Sequence, residues 1–219
     1  MTAANSNALA ATLRAAERHL ARADPMMARL IARHGPCGLG SRRRNPFHTL
    51  CTSIISQQLS SKAADTIQAR VQTLLRANPY FKPAHFLGAK HAALRGCGLS
   101  NAKARWMVEI ARRIEAGEFS FRKLVKLDDE AAIELLDALP GIGRWSAEMY
   151  LIFALDRLDL FAMDDVGLRR GVNRLYGGGR KLSDRRTLAI AKTWAPYRSV
   201  ASWYLWRAVD LARNGERGE

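Results

Sequence analysis

Along most of this chain apolar residues return every three or four positions, as at Leu20, Met27, Leu30 and Ile31 or at Ile110, Ile114 and Phe119. That spacing is the period of a helix with one buried face; a half-buried strand would alternate. The pattern predicts an all-α fold. Glycine and proline cluster at 35–40, 78–83, 96–98, 140–143 and 177–179, where helices must stop. Between these breaks the spacing predicts helices over about 8–21, 24–34, 46–56, 60–77, 84–95, 100–116, 120–126, 129–138, 144–155, 165–176, 183–193 and 199–213.

Composition then narrows the function classes. The 219 residues are 48% hydrophobic, enough to bury one large core or two small helical lobes, which excludes a disordered basic tail. Thirty-five Lys and Arg against twenty Asp and Glu leave a formal charge of +15, so a polyanionic partner is expected. Cys37, Cys51 and Cys97 are odd in number and far apart, unlike a disulfide framework or a zinc or iron–sulfur site. His19, His34, His48, His85 and His91 form no metal-binding pattern, so no metal is expected and each reads as a surface or capped histidine. Arg14, Glu17 and Arg18 interrupt the alanine-rich start before a signal-type block is complete, and no apolar run is long enough for a membrane span. A cytoplasmic, nucleoid-associated protein that leaves membranes alone is expected. The Arg42–Arg44 run reads as a solvated face before it reads as a phosphate site.

The most informative stretch runs from Leu135 to Leu155. A helix ends at Leu139, Pro140-Gly-Ile-Gly143 turns the chain, and a strongly apolar helix starts at Arg144. Such a turn presents the first amides of the second helix to solvent, and a phosphate oxygen can dock there without any base being read. Gly141 and Gly143 could equally serve only a tight helix–helix joint. Ile142 lies between them, and Arg144 and the net charge favour the anion grip.

This segment resembles the helix–hairpin–helix motif Leu-Pro-Gly-Ile/Val-Gly. Leu160-Phe-Ala-Met-Asp-Asp-Val-Gly-Leu-Arg-Arg170 follows in the order and spacing of the helix–hairpin–helix (HhH-GPD) DNA glycosylase superfamily. Ile54-Ile-Ser-Gln-Gln-Leu-Ser-Ser-Lys-Ala-Ala64 is similar to a segment of its alkylated-base branch, the 3-methyladenine DNA glycosylase II group, and Gly98-Leu-Ser-Asn-Ala-Lys-Ala-Arg105 matches a third block. Four ordered blocks between about 45 and 206 carry the resemblance. It implies a two-lobed all-α fold with a DNA-binding cleft, one lobe of about 46–160 and a second of about 1–45 plus 161–219. It also implies a monomer acting on double-stranded DNA that contains a damaged base. The β-rich domain of some relatives has no counterpart in these residues, so a compact member is expected.

The resemblance places the catalytic acid at Asp165, the second Asp of Met163-Asp-Asp-Val166. Breaking an N-glycosidic bond builds positive charge on the sugar, which a nearby carboxylate stabilises. A plain helix N-cap explains an Asp before Val166 equally well. Asp164 reads as a cap or solvent-facing neighbour, and Asp156 and Asp159 as turn residues. Bifunctional members carry Lys two residues after the second hairpin glycine. Trp145 stands there, which favours monofunctional hydrolysis over a glycosylase/lyase; a non-catalytic duplex-gripping module is the other alternative. A base must leave the stack to be cleaved, and Trp145 and Trp206 occupy pocket positions of the branch. Met149 stands where a Tyr is frequent, so the preferred lesion stays open; Trp206 could instead be core, as Trp106, Trp194 and Trp203 are read. Gln57, Gln58 and Leu59 lie where the family inserts its wedge, although Leu59 as a core anchor and the glutamines as a helix end fit as well. No cofactor is implied beyond a permitted monovalent cation at the hairpin.

Overall fold

The computed structural model describes residues 3–40 and 45–215, which leaves the Arg42–Arg44 run outside the described residues. They form α1 Ala3–Ala23, α2 Pro25–His34, α3 Pro46–Ser56, α4 Ser61–Leu74, α5 Pro83–Leu87, α6 His91–Gly96, α7 Asn101–Glu115, α8 Phe121–Lys126, α9 Asp129–Asp137, α10 Arg144–Ala154, α11 Val166–Tyr176, α12 Asp184–Lys192 and α13 Arg198–Gly215. No strand occurs among the described residues.

Local chemistry sets many of the starts. Asn45, Ser60, Ser100, Asp128, Asp165 and Ser183 each turn a side-chain oxygen onto an amide of the helix that follows. Each satisfies one of the first-turn donors that a helix cannot pair internally. Pro25 and Pro46 stand at first positions, where the missing N–H costs nothing. The sequence predicts one helix over 84–95, but the chain breaks it into α5 and α6. Gly88 caps the first piece and Lys90, in extended geometry, starts the second.

Two compact units result, described residues 45–155 and described residues 3–40 with 156–215. In the first, α3 is packed against α4, α7 and α10, and its buried face carries Phe47, Leu50, Cys51, Ile54 and Ile55. Phe47, Phe81 and Phe86 meet edge to face, with centroids 5.5–5.7 Å apart where Phe86 is a partner.

In the other unit α13 is packed against α1, α2 and α11. Its core centres on Trp194, fully buried, whose indole N–H donates to Asp24 Oδ2 at 2.9 Å. Tyr176 donates to the same oxygen at 2.7 Å while Asp24 Oδ1 caps α2. A buried acid is thereby matched by donors from three parts of the unit. Asp159 is more than a turn residue: it takes the Arg198 guanidinium at 2.8 and 2.9 Å and the Arg198 amide at 3.1 Å, fixing the start of α13. The histidines also differ from expectation. His48 Nδ1 accepts the Phe81 amide and His85 Nδ1 the Lys82 amide, but Nε2 of His19 and of His34 is buried with no hydrogen-bond partner.

Candidate active site and nucleic-acid interface

The hairpin lies in the unit of residues 45–155. Gly141 has φ +80°, which side-chain-bearing residues rarely adopt, and a Cβ there would fall 2.2 Å from Cε3 of Trp106. Its smallness is therefore demanded from the protein side, by an indole read from sequence as core. Ile142 is buried and anchors the turn, while Gly143 is exposed and caps α10 without a side chain. A helix start capped by backbone alone leaves room for an anion.

The hairpin is tied to the end of α3. Gln57 Nε2 donates to the Gly141 carbonyl at 2.9 Å. Lys103 Nζ donates to the carbonyls of Ile55 at 2.9 Å and Gln57 at 2.7 Å, bringing a cation to the negative end of α3, and burial lowers its pKa. Gln58 follows at φ +58° and Leu59 is 40% exposed, so the chain between α3 and α4 presents these two residues outward while Gln57 faces the hairpin. Lys103 and Trp106 are positioning residues that the sequence did not single out for function. Lys103 had a signal, since its motif block places a cation in the first turn of a helix, where the dipole disfavours it.

Arg144 is exposed but engaged. Its guanidinium meets both Glu130 oxygens at 2.6 and 2.8 Å and Glu148 at 3.3 Å. The hydrogen bonds from Arg144 hold the Glu130 carboxyl below its ordinary value, and those same bonds raise Arg144. Any anion docking at this arginine would have to compete with Glu130.

Trp145 is 45% exposed at the head of α10. One turn on, Met149 lines a cavity of about 330 Å³ whose walls include Thr52, Ser53, Ser56 and Asp65. Tyr150 lines the same cavity but is held in place: it is buried, stacks on Phe121 and donates to the Pro46 carbonyl at 3.0 Å.

In the other unit Asp165 is 9% exposed and caps α11. Its Oδ1 accepts the Leu168 amide at 2.6 Å and the Trp206 indole N–H at 2.8 Å. A Cβ at Gly167 would approach Asp165 Oδ1 to 3.2 Å and Trp206 Cδ1 to 3.4 Å, so glycine there leaves the pair its space. Asp165 is thus a cap and something more, an acid oriented by an indole donated from α13. Asp164 beside it is exposed. Among the described residues no group of three or more His, Cys, Asp or Glu could hold a metal ion, and all three cysteines are buried and unbridged.

A family model described as HhH-GPD superfamily base excision DNA repair protein matches residues 51–196. The chain is 31% identical over 205 residues to DNA-3-methyladenine glycosylase 1 of Schizosaccharomyces pombe, covering 92% of this chain and 90% of the relative. It is also similar to the solved DNA-3-methyladenine glycosidase of Bacillus halodurans, with a TM-score of 0.79, 37% identity and 87% of each chain covered. A third likeness is to S. pombe 3-methyladenine DNA glycosylase in complex with abasic DNA, with a TM-score of 0.74, 32% identity, and 90% of this chain and 97% of that one covered. With the hairpin and Asp165 both inside the matched segment, the chain belongs to the HhH-GPD superfamily of base excision DNA repair proteins.

Proposed function

We propose that this protein is a monofunctional DNA glycosylase that removes alkylated purines such as 3-methyladenine from duplex DNA. The observation that carries the reading is Asp165, which lies in the segment that matches the family and is fixed at the head of α11 by Leu168 and, from beyond that segment, by Trp206. The relatives named as 3-methyladenine glycosylases support the substrate class, and the neighbour bound to abasic DNA supports DNA as the partner.

The chemistry follows from charge. As the bond from C1′ to the base nitrogen lengthens, its electron pair leaves with the base and positive charge develops on the sugar ring. The Asp165 carboxylate stabilises that charge. Water then bonds to C1′ and loses a proton, leaving a free base and an abasic site. A cationic alkylated purine departs neutral, so no strong acid is needed on the base. Trp206, bonded to Asp165, stacks on the everted base, and an indole face favours a cationic one by about 0.5–2 kcal/mol. The amides at Gly141–Gly143 and the Arg144 guanidinium hold the backbone, with Gln58 or Leu59 filling the gap and Gln57 bracing the hairpin. With Trp145 where a lyase carries its amine, no Schiff base forms. The enzyme acts as a monomer without a metal cofactor.

The test is release of free base from a duplex carrying one 3-methyladenine, with borohydride present in a parallel reaction. Release without a trapped covalent adduct is expected. Duplex binding without release overturns catalysis, and a trapped adduct overturns the monofunctional assignment.

A further inference from the structure

The surface arginines of this protein are not all alike. On α7, Arg112 and Arg113 share Glu109 at 2.9 Å, with Glu118 as a further partner of Arg112, and at the hairpin Arg144 is held by Glu130. Between residues 169 and 186 basic residues predominate in the sequence itself, seven Lys and Arg against one acid, Asp184.

Helical geometry gathers part of that excess on one face. Leu168, Gly171 and Val172 are the buried side of α11, with Gly171 against Leu205 and Val209 of α13. The opposite side carries Val166, Arg169, Arg170, Asn173 and Arg174, which with Gly179 line an open groove of about 480 Å³. Val166 is 69% exposed, and Arg170 and Arg174 are exposed. The groove is a built surface. The Asn173 carbonyl accepts the amides of Gly177 and Gly179, its Oδ1 accepts the Leu182 amide at 2.8 Å, and Arg169 is braced by Asp184 at 2.8 Å.

From this groove we infer that the outward face of α11, centred on Arg170 and Arg174, is a second phosphate-binding surface for the duplex, separate in sequence from the hairpin grip. The inference rests on the proposed function for the identity of the polyanion. Arg170 and Arg174 lie five and nine residues beyond Asp165, about 8 and 14 Å along the helix at its usual rise. A DNA strand climbs about 3.4 Å per nucleotide. The two guanidiniums therefore suit phosphates roughly two to four steps from the nucleotide held at Asp165. Planar guanidinium groups pair well with phosphate oxygens, and the contacts read no sequence.

The test compares wild type with an Arg170→Gln/Arg174→Gln variant and an Arg170→Lys/Arg174→Lys variant on undamaged and 3-methyladenine duplexes over about 50–200 mM salt. Removing two phosphate contacts should lower the slope of log affinity against log salt by about 1.8 and weaken both duplexes on the order of tenfold, with the Lys variant retaining most of the slope. Single-turnover release at saturating enzyme should stay within about twofold of wild type in both variants, because the arginines touch phosphates and not the reacting atoms. An unchanged slope in the folded Gln variant overturns the inference while leaving the proposed function standing. So does a Gln variant that loses only its binding to phosphatidylserine vesicles. No release from any alkylated duplex, with the slope change intact, overturns the proposed function and leaves the basic face standing as a DNA surface.

Discussion

The indole N–H of Trp206 donates to Oδ1 of Asp165 at 2.8 Å, onto the same oxygen that accepts the Leu168 amide at 2.6 Å. One donor comes from the helix that Asp165 begins and the other from α13, forty-one residues away in sequence. The first bond would exist for any capping Asp; the second would not, and it is the one that a role in orientation requires. Trp206→Phe keeps the ring and removes the N–H. Losing a hydrogen bond to a charged group costs about 1.5 kcal/mol, so single-turnover base release should slow about tenfold with duplex affinity unchanged. Unaltered release would leave the indole a packing role only.

At Gly141, φ +80° and the Trp106 ring 2.2 Å from a hypothetical Cβ act together. Gly141→Ala should cost about 2–4 kcal/mol in denaturant melts. In a Trp106→Leu background the same change loses its clash but keeps its backbone strain, so its cost should fall to about 1 kcal/mol. Equal costs in both backgrounds would mean that Trp106 does not set the hairpin.

Lys103 joins the third sequence block to the end of α3 through the Ile55 and Gln57 carbonyls. Lys103→Met retains the stem and deletes the ammonium. It should destabilise by about 1.5–3 kcal/mol and, by loosening Gln57 against Gly141, weaken duplex binding in fluorescence anisotropy. Destabilisation with wild-type binding would show that the strut supports the core alone.

His48 offers an acid-sensitive point. Its Nδ1 accepts the Phe81 amide, and burial lowers its pKa from the ordinary 6.5. The unfolded chain therefore binds a proton before the folded one does. Stability is full above about pH 6.5 and is lost as pH falls toward the folded value. His34 shifts the same way, by burial and then by Arg33 and Arg207, so the wild-type loss has both sources. His48→Asn supplies a non-titrating acceptor. Denaturant melts at pH 7.5, 6.5 and 5.5 should show a smaller acid loss in the variant, and parallel curves would remove His48 from the account.

How much of this was legible in the sequence depends on how local the cause is. Asn45 before Pro46, Ser100 before α7 and Asp165 before α11 sit beside the helices they start, and the apolar spacing fixes which faces are buried. The break between α5 and α6 was missed because Gly88 reads as tolerable inside a periodic run. The partners of Asp24 lie about 150 and 170 residues away, and Gly141 is constrained by an indole thirty-five positions upstream. No spacing rule reaches that far. The hairpin and the Asp165 segment could be picked out because their residue order resembles a family, and Lys103 stands out as a cation in the first turn of a helix, whereas the roles of Trp106 and the α11 groove become visible only once side chains are placed.

The central claim is that the Asp165 carboxylate stabilises charge on the sugar, and Asp165→Asn in single-turnover release of 3-methyladenine tests it most directly. Asparagine keeps an oxygen for the Leu168 amide and removes the negative charge. The account predicts a loss of at least about a hundredfold in release, with duplex affinity held within a few fold. Release at the wild-type rate from the folded variant would contradict it.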